Sequence, residues 1–329
     1  MTDHPDCRVA LILGGGNALG AYHAGVHQAL EDAGVSPDWI VGASVGAISG
    51  AIIAGNAPAQ RTARLTDFWR PAPEDTRDWS AIPDDWRRSG EVLGTMLGGR
   101  SGMFHGVGTT LLDGKPALYD TAPLARTLAA LIDVDRLNGG PIRYTATAVE
   151  LDTGADAIFD TAERWVTPDH VRASGSLPPG FPPVTIDATR YVDGGLSANL
   201  PLDPVLSAPG DAPRLCIAVD LLPLAAPRRD TLSAMVERMQ DLTFAIQSRR
   251  SIAAWQARYA HDPALADRSV TLAHLAYADQ DAEVAGKAMD FSPRSVRARW
   301  DAGRRDAAAL LARWRAGGFP IGRAGLHLV

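Results

Sequence analysis

The chain has 329 residues, of which 46% are hydrophobic and 21% charged, with a formal net charge of −6. That length admits one large domain or two ordinary ones, the composition is that of a globular protein, and the mixed signs of charge leave no basic stripe for nucleic acid. Cys7 and Cys216 are too few and too far apart for a disulfide framework or metal cluster, the apolar run Val9 to Leu13 is too short for a signal-peptide core, and no window approaches a membrane span of about 18 apolar residues; a cytoplasmic protein, peripheral to a membrane at most, is the expectation.

In chain order, Arg8 to Leu13 reads as a strand, Gly14-Gly15-Gly16 as a turn, and the alanine-rich stretch from Ala18 to Ala33 as a helix stopped by Gly34. A second β-α step follows, with Trp39-Ile40-Val41 as a buried strand, Gly42-Ala43-Ser44-Val45-Gly46 as the turn and Ala47 to Ala54 as the helix. Consecutive β-α steps predict a parallel sheet. From about residue 70 to 117 the pattern degrades into Pro, Trp, Asp and Gly, which predicts an irregular insertion or flap; its apolar residues Trp79, Trp86 and Leu93 to Leu97 are of the kind that touch a membrane surface or cover a site. Beyond it come a helix at Ala122 to Ile132, strands at Tyr144 to Glu150 and Ala157 to Asp160, and a proline-rich loop from Leu177 to Pro183. That loop leads through Val184 to Ile186 and Arg190 to Val192 into Asp193-Gly194-Gly195. Leu215 to Leu221 reads as an interior strand, Leu232 to Tyr259 as a long helix, Val270 to Leu275 as a last strand, and Ser292 to Arg315 as a helix capped by Ser292 with Pro293 in its first turn.

Gly42-Ala43-Ser44-Val45-Gly46 is a G-x-S-x-G pentapeptide between strand and helix, the context in which a serine Oγ projects above a sheet edge as a nucleophile. Acyl transfer also needs donors for the oxygen of the tetrahedral intermediate, and backbone amides of Gly15, Gly16 and Asn17, at the end of the neighbouring strand, are the candidates. A glycine turn after a first strand is also how a dinucleotide site begins. Here the spacing runs G-x-G-x-x-x-G through Gly14, Gly16 and Gly20, and no acidic residue closes the next strand, so that reading is the weaker one. An α/β-hydrolase would need a late histidine, for which His261, His274 and His327 are nominal candidates, none in a telling loop; His105 reads as a residue of the flap.

The glycine-rich turn, the G-x-S-x-G elbow and the distant Asp193-Gly194-Gly195, in that order, resemble the signature of the patatin-like phospholipases. The resemblance extends through Ala21 to Val26 and through Ala173 to Pro178 with Phe181-Pro182-Pro183. Asp290-Phe291-Ser292 with Arg299-Trp300 is similar to an extension found in a bacterial branch of the family. It implies a three-layer α/β/α sandwich with a mostly parallel central sheet, a catalytic domain over residues 5–220 and a mostly helical C-terminal extension over 221–329. It also implies Ser44 as nucleophile, Asp193 as general base, Gly42, Gly46, Gly20, Gly194 and Gly195 as motif residues, no metal or other cofactor, and an acyl-ester or phospholipid substrate. Two positions depart from the family pattern: Asn17 replaces a third glycine, and Leu19 stands where many members carry an arginine or lysine. Those departures leave open a second reading, a lipid-binding module of low turnover. A carboxylate that serves a serine without a histidine must be a stronger base than usual, which predicts that Asp193 is buried with few donors besides Ser44.

Overall fold

The computed structural model describes residues 7–70, 84–107, 116–226 and 231–329. Its first part runs β1 (Arg8–Leu13), α1 (Ala21–Asp32), β2 (Trp39–Ala43), α2 (Val45–Ala54), α3 (Pro58–Trp69), α4 (Asp84–Gly98), the short strands β3 (Gly99–Arg100) and β4 (Phe104–His105), and α5 (Ala122–Leu131). Then follow α6 (Val134–Gly139), β5 (Arg143–Glu150), β6 (Asp156–Asp160), α7 (Pro168–Ser174), β7 (Val184–Ile186), β8 (Thr189–Asp193), α8 (Gly195–Ala198), α9 (Asp203–Leu206) and β9 (Arg214–Asp220). The chain ends with α10 (Leu232–His261), β10 (Ser269–Ala276), α11 (Pro293–Arg315) and β11 (Gly325–Leu328).

One sheet of nine strands has the order β11-β10-β9-β1-β2-β5-β8-β7, with β6 also on β5. The strands from β11 to β5 are parallel, and β6, β7 and β8 add antiparallel pairings at one end. Side chains of a strand alternate between faces, and β1 shows that both faces are covered. Val9, Leu11 and Leu13 pack with α1, α2 and α11, while Ala10 and Ile12 pack on the opposite face with Val205, Leu206, Ile252 and Trp255 of α9 and α10. The result is the three-layer sandwich that the resemblance implied.

The chain winds from β1 outwards through β2 to β5, then returns to place β9 on the other side of β1. The end of β1 is therefore the topological switch point, where the loops of neighbouring strands diverge and leave a crevice. The strands of the C-terminal segment, β10 and β11, continue the same sheet beyond β9.

The insertion differs from its expected irregularity: residues 84–98 form a helix of 15 residues. Three glycines weaken its propensity, and tertiary contacts outweigh them. Arg88 donates to the Asp290 and Glu283 carboxylates at 3.1 and 2.9 Å and to the Ala282 carbonyl, so one face is tied to the C-terminal segment. Trp86, Leu93 and Leu97 remain on the exposed face, and Trp79 lies outside the described residues.

Helices α1 and α11 approach so closely that a Cβ on Gly25 would stand 1.8 Å from the Trp300 carbonyl oxygen, and one on Gly303 would stand 2.1 Å from that of Tyr22. Replacing Gly25 by Ala forces the pair apart, with an expected loss of roughly 1–3 kcal/mol or more. Gly90, in α4, faces open space, so Gly90→Ala is expected to stabilise by about 1 kcal/mol through helix propensity. Urea unfolding of the two variants checks both signs; equal effects would contradict the close approach.

Candidate active site

The turn that carries Ser44, the candidate nucleophile, is built by close backbone approach. A Cβ on Gly46 would lie 2.1 Å from the Leu13 carbonyl oxygen, and one on Gly42 would lie 2.4 Å from the Ala47 nitrogen, so neither position holds any larger residue without the turn opening. Between them Ser44 adopts φ 56° and ψ −127°. A non-glycine residue there carries a strain of roughly 1–3 kcal/mol, which persists only where the surroundings dictate it. The surroundings include Ser174, at the end of α7, whose buried Oγ accepts a 3.1 Å hydrogen bond from the Ser44 amide. Helix α2 begins at the next residue, so its N-terminal amides and partial positive charge face the Ser44 side chain.

Asp193 reaches Ser44 through the pairing of β5. That strand pairs β2 up to Ala43 opposite Thr147, and β8 from Asp193 opposite Ala148. Strand β6 occupies the other edge of β5 across both stretches, so β2 and β8 share one edge. Where β2 leaves that edge at Ser44, β8 takes it up and delivers Asp193. The Asp193 amide donates to the Ser176 carbonyl at 3.1 Å, so the segment from Ser174 to Ser176 holds the backbone of both residues.

The Asp193 carboxyl is 2% exposed. Burial pushes its pKa up to about 7, and the Ser44 hydroxyl and Gly195 amide draw it back only in part. Oδ1 accepts from the Gly195 amide at 2.7 Å, whereas the buried Oδ2 has no hydrogen-bond partner. Ser44 thus lies close enough to act on the carboxyl without completing an aligned hydrogen bond to it. An apolar setting with few donors is what the sequence predicted for this residue.

The glycine turn lies alongside. Leu13 pairs with Gly42, which brings residues 14–17 level with the elbow, and a Cβ on Gly15 would stand 3.1 Å from that of Ser44. The three candidate donors are not equivalent: the Gly15 amide is committed to the Asn199 carbonyl at 3.0 Å, while the Gly16 and Asn17 amides donate to no other described residue. Asn17 takes φ 50°, the left-handed backbone that asparagine tolerates better than other non-glycine residues. Asn199 closes the turn by also donating from Nδ2 to the Gly15 carbonyl at 3.3 Å. Sequence reasoning marks neither Asn199 nor Ser174, although Ser174 lies in the Ala173 to Pro178 segment of the family resemblance and Asn199 six residues beyond Asp193.

Ser44, Asp193, Gly16 and Asn17 share one cavity of about 570 Å³. Its lining is mostly apolar and includes Ile48, Leu124, Phe104, Tyr119, Phe181, Leu222, Phe244 and Met289. Rings of Phe104, Tyr119 and Phe181 pack with centroids 5.1 to 5.7 Å apart. Among the described residues no histidine lines it; His274 faces Asp220 at 3.5 Å, and His105 faces Asp120 at 3.7 Å. Among the described residues no cluster of three or more His, Cys, Asp or Glu could hold a metal ion, and no helix is long and apolar enough to cross a membrane.

A family model described as patatin-like phospholipase matches residues 11–206, and a second, described as patatin phospholipase, matches residues 229–317. An uncharacterized NTE family protein of Mycobacterium tuberculosis is 30% identical over 225 residues, 68% of this chain and 52% of that protein. The patatin-like phospholipase domain-containing protein 6 of Mus musculus is 26% identical over 197 residues, 59% of this chain and 12% of that protein. The chain thus spans about half or less of the length of these curated relatives. Among solved structures, VipD from Legionella pneumophila superposes with a TM-score of 0.48 at 15% identity, over 94% of this chain and 67% of that one.

The raised pKa of Asp193 has a thermodynamic signature. A carboxyl with an unfolded value of about 3.9 and a folded value of about 7 stabilises the fold while protonated. That contribution is lost as pH rises through about 7. Asp193→Asn removes the titration, so its stability relative to wild type is expected to grow between pH 5 and pH 8, by on the order of a few kcal/mol. Chemical denaturation at both pH values measures it; a pH-independent difference would contradict the buried, raised carboxyl.

Proposed function

The chain belongs to the patatin-like phospholipase family, and on that footing we propose that it hydrolyses acyl esters of lipids through a Ser44–Asp193 dyad. The observation that carries the reading is the Asp193 carboxylate: buried, raised in pKa to about 7, with one oxygen held by Gly195 and the other left without a partner beside the strained serine. A carboxylate near neutrality is a competent acceptor for a hydroxyl proton at physiological pH.

In the first step Ser44 Oγ attacks the ester carbonyl carbon and its proton passes to Asp193 Oδ2. The carbonyl oxygen becomes an oxyanion, which the amides of Gly16 and Asn17 receive, with the α2 N-terminus adding favourable potential. Collapse of the intermediate expels the alcohol, which takes the proton from Asp193 and leaves an acyl-Ser44 ester. Water then attacks that ester as Asp193 removes its proton, and the proton returns to Ser44 as the free acid leaves. Each step uses the chain's own residues. The apolar cavity supplies the place for the acyl chain, since its walls offer burial and few polar partners.

Hydrolysis of long-chain p-nitrophenyl esters and of phosphatidylcholine vesicles tests the proposal. Ser44→Ala and Asp193→Asn are each expected to lower kcat/KM by on the order of a thousandfold or more. In wild type, kcat/KM is expected to rise with pH through about 7 and then level, following ionisation of Asp193. Folded variants that retain the wild-type rate would sink the dyad, and lipid binding without hydrolysis by wild type would favour a binding module.

A further inference from the structure

Arg299 lies in α11, far from the elbow in sequence, yet its side chain is completely buried. Five hydrogen bonds occupy its five N–H groups: Nε to Glu283 Oε1 and Nη2 to Glu283 Oε2, both at 2.8 Å, Nη2 to the Lys287 carbonyl at 3.1 Å, and Nη1 to the carbonyls of Asp290 at 2.7 Å and Ala18 at 3.1 Å. The Ala18 carbonyl belongs to the turn that follows Gly16 and Asn17. Lys287 and Asp290 bracket Met289, a wall residue of the cavity whose Sδ accepts from Asn17 Nδ2 at 3.3 Å. One guanidinium therefore joins the oxyanion turn to the loop that touches Asn17 from the other side.

We propose that Arg299 is a positioning residue for the oxyanion turn, supplied by the C-terminal segment and holding the Gly16 and Asn17 amides in line with Ser44. The proposal rests on the hydrolase reading above. The turn has need of such a brace. It is a short piece of chain, closed by a hydrogen bond from the Leu19 amide to the Gly16 carbonyl at 3.1 Å, and Asn17 sits in left-handed backbone. Oxyanion donors are effective only when already aimed, because reorganisation at the moment of reaction consumes the stabilisation they provide. Position 19 carries leucine, so the turn has no cation of its own.

The brace acts through geometry more than through its charge. Glu283 binds the guanidinium in a bidentate pair and Asp290 lies 3.9 Å away, so its field is largely cancelled where it stands. What remains is the rigid fork, which reaches three main-chain carbonyls on two loops at once. A lysine ammonium is a single point with three donors and cannot span them. A residue that served only to dock α11 on α1 would have no use for these acceptors; that role belongs to its neighbour Trp300, whose Nε1 donates to Gln28 at 2.6 Å.

The test compares three variants with wild type: Arg299→Lys, the charge-balanced pair Arg299→Gln with Glu283→Gln, and Trp300→Phe as a control that loosens the same helix. For each, the thermal midpoint is measured with kcat and KM on a long-chain p-nitrophenyl ester, and with inhibition by a long-chain trifluoromethyl ketone and by the matching fatty alcohol. The ketone adds Ser44 Oγ and places an oxyanion in the turn, whereas the alcohol fills the cavity alone. In the Arg299 variants kcat is expected to fall by about tenfold or more, KM to change by less than about threefold, and ketone inhibition to weaken in step with kcat while alcohol inhibition holds. Trp300→Phe is expected to keep wild-type kcat even where its midpoint drops as far.

Folded Arg299 variants with near wild-type kcat and ketone affinity would overturn the proposal, as would a Trp300→Phe variant that loses kcat equally. Failure of both Arg299 variants to fold would make the residue part of the core alone and overturn it as well. Those results leave the hydrolase reading standing so long as wild type is active and Ser44→Ala is not. A wild type inert towards every ester would remove both.

Discussion

The site depends on one shared edge of one strand. β5 pairs β2 as far as Ala43 and then, on the same side, β8 from Asp193 onward. A parallel strand that ends in a sharp turn leaves unpaired backbone groups behind it, and those groups must find partners if they are buried. Here the vacated edge is filled by an antiparallel strand arriving head-on, and the residue at the handover is an aspartate. The proximity of Ser44 and Asp193 is thus a property of the sheet's hydrogen bonding. It does not rely on a flexible loop, and the segment from Ser174 to Ser176 fixes it further by accepting from both amides.

The chemistry follows from the same placement. A carboxylate at the end of a buried strand loses most of its water, which raises its pKa, and Gly195 restores only part of the lost solvation through Oδ1. The free Oδ2 is costly for folding, and it is the atom proposed to take the Ser44 proton. In this chain the usual role of a histidine is proposed to pass to an aspartate whose surroundings make it basic, at the expense of stability above neutrality. The glycine turn divides its amides in the same way: that of Gly15 is held by the Asn199 carbonyl, and the next two are the ones proposed to receive the oxyanion.

Much of this was legible in the sequence, because the parts that carry it are local. The first two β-α steps, the elbow around Ser44 and the turn after β1 each depend on residues within one short window, and glycine spacing marks them. The long helices α10 and α11 were visible from their length and, for α11, from Ser292, whose Oγ accepts from the Ser295 amide, and Pro293 at the first turn. Helix α4 was not legible, since its own glycines argue against it and Arg88 secures it through carboxylates 195 and 202 residues away. Ser174 and Asn199 escaped notice because a single hydroxyl or amide acquires its role only when the fold supplies the partner. Arg299 is the sharpest case: it stands in a helix with Arg294, Arg297, Arg304 and Arg305, and no local pattern separates the one buried guanidinium from its neighbours. The carboxylate of Glu283, which pairs with the guanidinium through both oxygens, is what makes that burial tolerable.

The central claim is a covalent one, that an acyl group passes through Ser44. The most direct measurement mixes the protein with a long-chain p-nitrophenyl ester, quenches in acid within the first turnovers, and reads the intact mass and then the peptide that carries the adduct. The account predicts a mass increase equal to one acyl group less the displaced hydrogen, located on the peptide containing Ser44, together with a burst of p-nitrophenol of matching amplitude. Steady hydrolysis with a burst but the adduct on another residue, or an adduct on Ser44 that never turns over, would contradict it.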